Sequence, residues 1–210
     1  MEQSYSQINQ DINVLEVYKY KKGGFFVDIG ASDGTSLSNT YLLETKYDWK
    51  GICAEPLPSK WDLLNQNRKN SKCNSKALFH TTGMKVKFNI ANGCDLFSGI
   101  DETLTCEKHK EWIDKDKTVI DVETITLTDL LELYDAPTFI EYLSLDTEGS
   151  EYEILKVFDF SKYTFGYIDV EHNYEEPTRT NIRNLLIKNG YIYLNENKFD
   201  DCYKHNSVEI

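Results

Sequence analysis

Apolar residues in this chain come in short blocks separated by polar, helix-compatible stretches. Residues 7–20 place Ile8, Ile12, Leu15, Val17 and Tyr18 on a loose helical stripe that should pack on the domain edge. GGFFVDIG (23–30) reads as a buried strand ending in a turn, because a continuous apolar run is bounded by glycines. SLSNTYLLETKY (36–47) predicts a helix, and WKGICAEP (49–56) a second strand closed by Pro56. PSKWDLLNQNRKN (58–70) predicts a helix with Trp61, Leu63 and Leu64 on one side, and KCNSKALF (72–79) a third strand. MKVKFNI (84–90) alternates as a strand, and the polar segment from 91 to 117 reads as an exposed insertion. TVIDVETIT (118–126) alternates again, and LTDLLELY (127–134) is a short helix. FIEYLSLD (139–146) is a buried strand before the helix GSEYEILKVF (149–158), and FGYIDVEHN (165–173) is another strand. PTRTNIRNLLIKNG (177–190) has proline in its first turn and glycine just past its end, the usual helical asymmetry. YIYLN (191–195) and DDCYKH (200–205) form the last strands.

Strands alternating with helices predict an α/β fold with a mostly parallel sheet. Ligands in such sheets sit outside the carboxyl ends of the strands. The residues of interest are therefore those that end strands: Asp28–Gly34, Glu55, Asp146–Glu148 and Glu171–Asn173. No linker or repeat interrupts the pattern. Residues 1–22 read as a helical extension packed on one domain spanning 23–210.

Composition narrows the function. A chain of 210 residues with 40% hydrophobic residues, 14 tyrosines and 10 phenylalanines can build a core without staples. Its apolar runs are too short to span a bilayer. The start MEQSYSQINQDINV has no basic segment and no apolar block, which predicts a cytoplasmic protein without a secretory signal. The net charge of -12 argues against nucleic acid and anionic membranes as partners. Five cysteines without CxxC spacing predict free thiols in a reducing compartment.

The turn VDIGASDG (27–34) carries the first chemical signal. Gly30 permits a tight turn, and Gly34 would let backbone approach a ligand at a helix start. Asp28 is an acid at the end of a buried strand and needs a partner, either turn amides or a ligand ammonium. Glu55 ends the next strand, where a carboxylate can accept both ribose hydroxyls of an adenosyl ligand. The turn lacks G-x-G-x-x-G and any Lys or Arg for a pyrophosphate. Together these features favour S-adenosylmethionine (SAM) over a dinucleotide.

FFVDIGASDGTSLSNTYLLE, WKGICAEPLPSKWDLLNQNRK, TITLTDLL, YLSLDTEGSEYEIL and IDVEHN, in that order, resemble the FkbM-type family of SAM-dependent methyltransferases. The resemblance covers about residues 23–195, and LSLDTEGSEYEIL is its most specific block. It implies a Rossmann-like class I methyltransferase fold, with helices on both faces of a seven-stranded sheet ending in an antiparallel strand. It also implies O-methylation, commonly of sugar or polyketide hydroxyls, so the expected acceptor is a glycan or small hydroxylated molecule. Asp28, Gly30, Ala31, Ser32 and Gly34 match the SAM loop, and Glu55 matches the ribose acid. Asn39 would reach the methionyl end, and Asp146 matches the acid facing the methionine part or the acceptor. The 91–117 stretch matches no family pattern.

An alcohol acceptor must lose a proton as it attacks the methyl group, so a base is expected. His172 is the first candidate, because it follows the strand IDVE and titrates near neutrality. Asp146 is the second, and Glu171 would orient His172 or bind a sugar hydroxyl. Glu148 and Glu151 have an equal claim as helix-start acids, and Ser150-x-x-Glu153 resembles a capping box. Asp146, Glu148 and Glu171 could together hold Mg²⁺, although the expectation is an enzyme without a required metal. Tyr174, Tyr152 and Trp112 could stack on a sugar, whereas His80, His109 and His205 read as bystanders. Two alternatives compete: an NAD-dependent sugar oxidoreductase or epimerase, which the missing second glycine and missing Tyr-x-x-x-Lys disfavour, and a non-catalytic binding module.

Overall fold

The computed structural model describes residues 2–209, apart from the side chain of Lys108. In chain order the elements are α1 (Gln10–Val17), β1 (Phe25–Ile29), α2 (Tyr41–Tyr47), β2 (Lys50–Ala54), α3 (Pro58–Asn67), β3 (Ser71–Asn74), β4 (Ala77–Leu78) and β5 (Lys85–Ala91). They continue with β6 (Gly99–Ile100), α4 (Glu107–Lys115), β7 (Lys117–Ile125), α5 (Leu127–Leu133), β8 (Phe139–Leu145) and α6 (Glu151–Leu155). The chain closes with β9 (Thr164–Glu171), α7 (Thr178–Lys188), β10 (Tyr191–Asn197) and β11 (Asp200–His205).

Seven strands form one sheet in the order β10-β11-β9-β8-β1-β2-β3. Only β11 runs against its neighbours, β9 and β10. Strand order reverses between β1 and β8, whose parallel register pairs Val27 with Leu143. That reversal brings the carboxyl ends of β1, β2, β8 and β9 to one edge, where α/β sheets bind ligands.

Both faces of the sheet are buried, and the residues show it by alternation. Val27, Ile52 and Leu143 face α5, α6 and α7, meeting Leu130, Ile154 and Leu186. Phe26, Cys53 and Tyr142 face the other way, onto Val14 and Leu15 of α1, Leu42 and Leu43 of α2, and Leu64 of α3. Side chains two apart along a strand share a face, so each strand serves two helical layers. The five cysteines are unbridged. Among the described residues no helix is long and apolar enough to cross a membrane.

Four elements depart from the sequence reading. KCNSKALF is two strands: β3 adds to the main sheet beside β2, while β4 pairs with β7. The chain turns between them where Asn74 accepts the Lys76 N–H at 2.9 Å. The helix expected from 36 begins only at Tyr41. Leu37 sits at φ 57°, and the Ser38 hydroxyl accepts the amides of Thr40 and Tyr41, so a side chain replaces the first helical bonds. The helix expected over 149–158 shrinks to α6, because Glu148 and Gly149 adopt φ 60° and 122°. Ser150 makes no side-chain cap there, and its hydroxyl donates to Thr147 instead, so the capping box does not form.

The fourth departure has the largest consequence. Residues 91–117 are not an exposed insertion. β5 and β7 form an antiparallel pair with β4 and β6 on its edges, a second sheet apart from the first. The segment between β5 and β7 folds back over it as a 3₁₀ turn (Asp95–Phe97), β6 and α4. Leu104 and Ile113 are buried with Ala91, and Phe97 packs against them. This cap stands over the ligand edge of the main sheet.

Candidate active site

A cavity of about 230 Å³ lies between the strand ends and the cap. Its floor is Gly30, Ser32, Glu55 and Asp146, and its roof includes Leu96, Phe97 and His109. A smaller pocket of about 60 Å³ adjoins it, lined by Asp28, Ala31, Asn39 and Ser144, and shares Gly30, Ser32 and Asp146 with it.

Gly30 makes the turn after β1 with φ 87°, and its amide donates to the Ala54 carbonyl at 3.0 Å. A Cβ here would collide with the backbone oxygen of Asp146, so strands β1 and β8 approach this closely only because residue 30 is glycine. Gly34 has a different role from the one expected. At φ 79° it packs against the side chains of Arg68 and Leu64 and lines neither pocket. Close approach there is to a helix, not to a ligand.

Glu55 is 5% exposed. Oε2 accepts the Ser32 amide at 2.9 Å and Oε1 accepts the Leu57 amide at 2.8 Å. Two backbone donors fix the carboxylate and leave each oxygen a further lone pair toward the cavity. Burial pushes its pKa up to about 7, against the opposing pull of those amides.

Asp28 found its partner in a residue the sequence reading passed over. Arg68, just after α3, is fully buried: Nε donates to Glu44 at 2.7 Å, NH2 to the Thr40 hydroxyl at 2.6 Å, and NH1 to the Gly34 carbonyl at 3.1 Å. NH1 stands 3.8 Å from Asp28, which also accepts from Thr40 at 2.5 Å. Burial raises the Asp28 carboxyl, and Arg68 and Thr40 oppose the rise. Beside it, Asn39 donates to the Ser144 hydroxyl at 2.9 Å, while its buried Oδ1 has no hydrogen-bond partner.

The other end of the cavity is acidic. Asp146, Glu148 and Glu171 line it with Asn173. Burial raises all three carboxyls and Glu151 adds to the rise in each; Asp146 pushes Glu148 and Glu171 up further, whereas its hydrogen bond with Glu171 opposes the rise of Asp146. Glu151 itself is a loop brace: Oε1 accepts from the Thr147 amide and hydroxyl and the Gly149 amide. Glu148 Oε2 lies 2.9 Å from His109 Nδ1, and His109 stacks on Phe97 at 4.6 Å between ring centroids. His109 is thus a wall of the site rather than a bystander. The signal in the sequence was the spacing of His109 and Ile113, one turn apart on α4, where both face inward among charged neighbours.

His172 falls outside the cavity, contrary to the sequence expectation. Its Nδ1 accepts the Tyr174 amide at 2.9 Å, and Nε2 faces Asp201 at 3.5 Å. Burial holds its pKa below the usual histidine value. Alternation explains the outcome: Glu171 points to the cavity, so the next side chain points away. Tyr174, Tyr152 and Trp112 also line no part of the cavity; Tyr152 packs on the main core, and Tyr174 and Trp112 are exposed.

The Methyltransferase FkbM domain matches residues 28–193. The chain belongs to the FkbM methyltransferase family. A search of curated proteins found no match. Among solved structures, the METTL16 methyltransferase domain aligns with TM-score 0.53 and 11% identity over 94% of this chain and 65% of that one. A precorrin-6y C5,15-methyltransferase from Geobacter metallireducens aligns with TM-score 0.47 and 12% identity over 92% and 84% of the two chains. A human methyltransferase 10 domain containing protein aligns with TM-score 0.48 and 11% identity over 93% and 80%. The likeness to the METTL16 domain concerns the fold, and with the family match it gives a class I SAM-dependent methyltransferase fold. The family takes the place of the NAD-dependent alternative.

The residues present suit the donor. A ribose needs acceptors, which Glu55 offers, and an α-ammonium needs acceptors, which Asp28 and the unpartnered Asn39 Oδ1 offer in the smaller pocket. SAM supplies an electrophilic methyl group on a sulfonium.

Proposed function

We propose that this FkbM-family enzyme transfers the SAM methyl group to a hydroxyl of a sugar or glycan, in the cytoplasm and without nucleic-acid or membrane partners. The observation that carries this reading is the charge of the cavity wall. Five acidic side chains line it (Glu55, Asp95, Asp146, Glu148 and Glu171); among the described residues the one lysine or arginine lining it, Lys76, is paired with Glu123, and Asp95 is paired with Lys60. Among the described residues such a wall offers a phosphate no unpaired lysine or arginine, and its carboxyl oxygens accept hydrogen bonds from hydroxyls, which suits a neutral polyhydroxylated acceptor.

In this reading Glu55 holds the ribose, and Asp28 and Asn39 hold the methionyl end. Asp146, at the end of β8, lies between both pockets and marks where donor and acceptor meet. The His109–Glu148 pair takes the proton released by the acceptor. Leu57, Leu78 and Phe97 exclude water on the apolar side. Alignment of acceptor, methyl and sulfur supplies most of the rate.

The test is radiolabelled methyl transfer from SAM onto a panel of free sugars, nucleotide sugars and glycans. Label should appear on a neutral polyol acceptor. Label only on RNA, or on an amine or carbon centre, would overturn the reading.

A further inference from the structure

We propose that the chain binds an oxygen-preferring divalent cation of the Mg²⁺ or Mn²⁺ kind through Asp146, Glu148 and Glu171. One carboxylate oxygen from each lies within 4.8 Å of the other two. Oxygen ligands at 2.0–2.6 Å from one ion stand about 3–5 Å apart, so a single cation can reach all three. Asp146 and Glu148 come from the loop after β8 and Glu171 from the end of β9, at the acidic end of the cavity.

A crowded acid cluster does not by itself make a metal site. The second observation is Glu171 Oε2. Glu171 is only 7% exposed, its carboxylate lines the cavity with the other two, and Oε2 has no hydrogen-bond partner. Buried carboxylate oxygens are ordinarily satisfied. Glu151 Oε1, by contrast, accepts from the amides of Thr147 and Gly149.

Charge balance points the same way. Among the described residues, no Lys or Arg nitrogen lies within 4.0 Å of the three carboxylates, and His109 beside Glu148 is their one basic neighbour. The protein holds a useful contrast. His172, Glu196 and Asp201 also converge, but Arg179 and Arg183 already sit on Asp201 at 2.6 and 2.8 Å. That cluster is neutralised by guanidinium groups, and the cavity cluster is not. An all-oxygen donor set selects Mg²⁺, Mn²⁺ or Ca²⁺ over Zn²⁺. Three carboxylates leave further coordination places open on the cavity side. Occupation of those places by the acceptor's oxygens rests on the O-methyl reading above; the cation site itself does not.

The full chain, stripped with EDTA and desalted, is titrated with MnCl₂, and free Mn²⁺ is read by its EPR signal, with and without S-adenosylhomocysteine. One Mn²⁺ per chain should bind and be displaced by excess Mg²⁺. Glu171→Gln should weaken Mn²⁺ binding tenfold or more, and Glu196→Gln in the other cluster should leave it unchanged. Glu171→Gln removes one of several crowded like charges, so its metal-free melting temperature should equal or exceed that of the unmodified chain. If that variant does not fold, Glu148→Gln provides the same reading. Absence of saturable Mn²⁺ binding at millimolar concentration overturns the proposal, as does binding that survives both substitutions. A melting shift with S-adenosylhomocysteine in EDTA reports separately on the methyl donor. That shift without Mn²⁺ binding rejects the cation and leaves the methyltransferase intact.

Discussion

At the scale of single residues, Gly30 and Glu55 govern donor binding in different ways. Gly30→Ala forces a Cβ into the Asp146 carbonyl at a φ that alanine tolerates poorly. The expected cost is about 3 kcal/mol or more, from overpacking and left-handed strain together, read as a lowered urea midpoint and a lost S-adenosylhomocysteine shift. Glu55 acts through its charge. Its native pKa of about 7 lies above the ordinary value of 4.5. Its contribution to stability is therefore complete below pH 4.5 and is lost as pH rises through about 7. Ribose hydroxyls donate to the ionised carboxylate and pull that pKa back down, so donor binding should tighten across the same range. Calorimetry at pH 6 and pH 8 should give a tighter Kd at the higher pH, by about tenfold for each unit of pKa drop on binding. Glu55→Gln should bind weakly and with less pH dependence. An unchanged pH profile in that variant would remove Glu55 from the ribose role.

The two histidines separate just as sharply. His109→Ala should reduce methyl transfer by 10²-fold or more, the range of a lost acid–base group. His172→Gln should leave kcat nearly intact and lower stability, because the ring is held among Tyr174 and Asp201 outside the cavity. A kcat that fell only in the His172 variant would restore the base expected from strand-end position.

At the scale of elements, the cap is the part expected to open most readily. Its own buried cluster is small: Ala91, Leu104 and Ile113, with Phe97 alongside. Elements with few buried apolar contacts open locally at low free energy. Amides of α4 should exchange with deuterium well before those of β1 and β8, and ligand filling the cavity should slow α4 selectively. Uniform exchange across α4 and β8 would make the cap a rigid part of the core.

The same elements explain what the sequence could and could not reveal. β1, β2, β8 and β9 were legible because each is a mostly apolar segment of five or more residues that runs into an acid or glycine at its carboxyl end. Their acids Asp28, Glu55, Asp146 and Glu171 all reach the pockets. β4 and β6 are two residues each, and their pairing comes from partners distant in sequence, which no local period encodes. α4 reads as polar because seven of its nine residues are charged or histidine, and among its described side chains only His109 and Ile113 are buried. Arg68 was invisible for a related reason. A cation on the polar side of a helix pattern normally meets water, and here three segments fold over it.

At the scale of the whole molecule, that buried guanidinium sets a boundary on modularity. Arg68 joins the strand end at Asp28, the loop at Gly34, the pre-helix Thr40 and the helix residue Glu44. Removing one partner of a buried ion pair costs about 3–5 kcal/mol, because the remaining charge is left uncompensated. Residues 28–68 therefore behave as one unit of recombination. Exchange with a relative that lacks an arginine at this place should yield insoluble protein when the crossover falls between 44 and 68. A crossover near Gly83 leaves the whole Arg68 network on one side. The cap lies outside that unit, so it is the part of this chain free to diverge around the acceptor, provided that His109 stays beside Glu148.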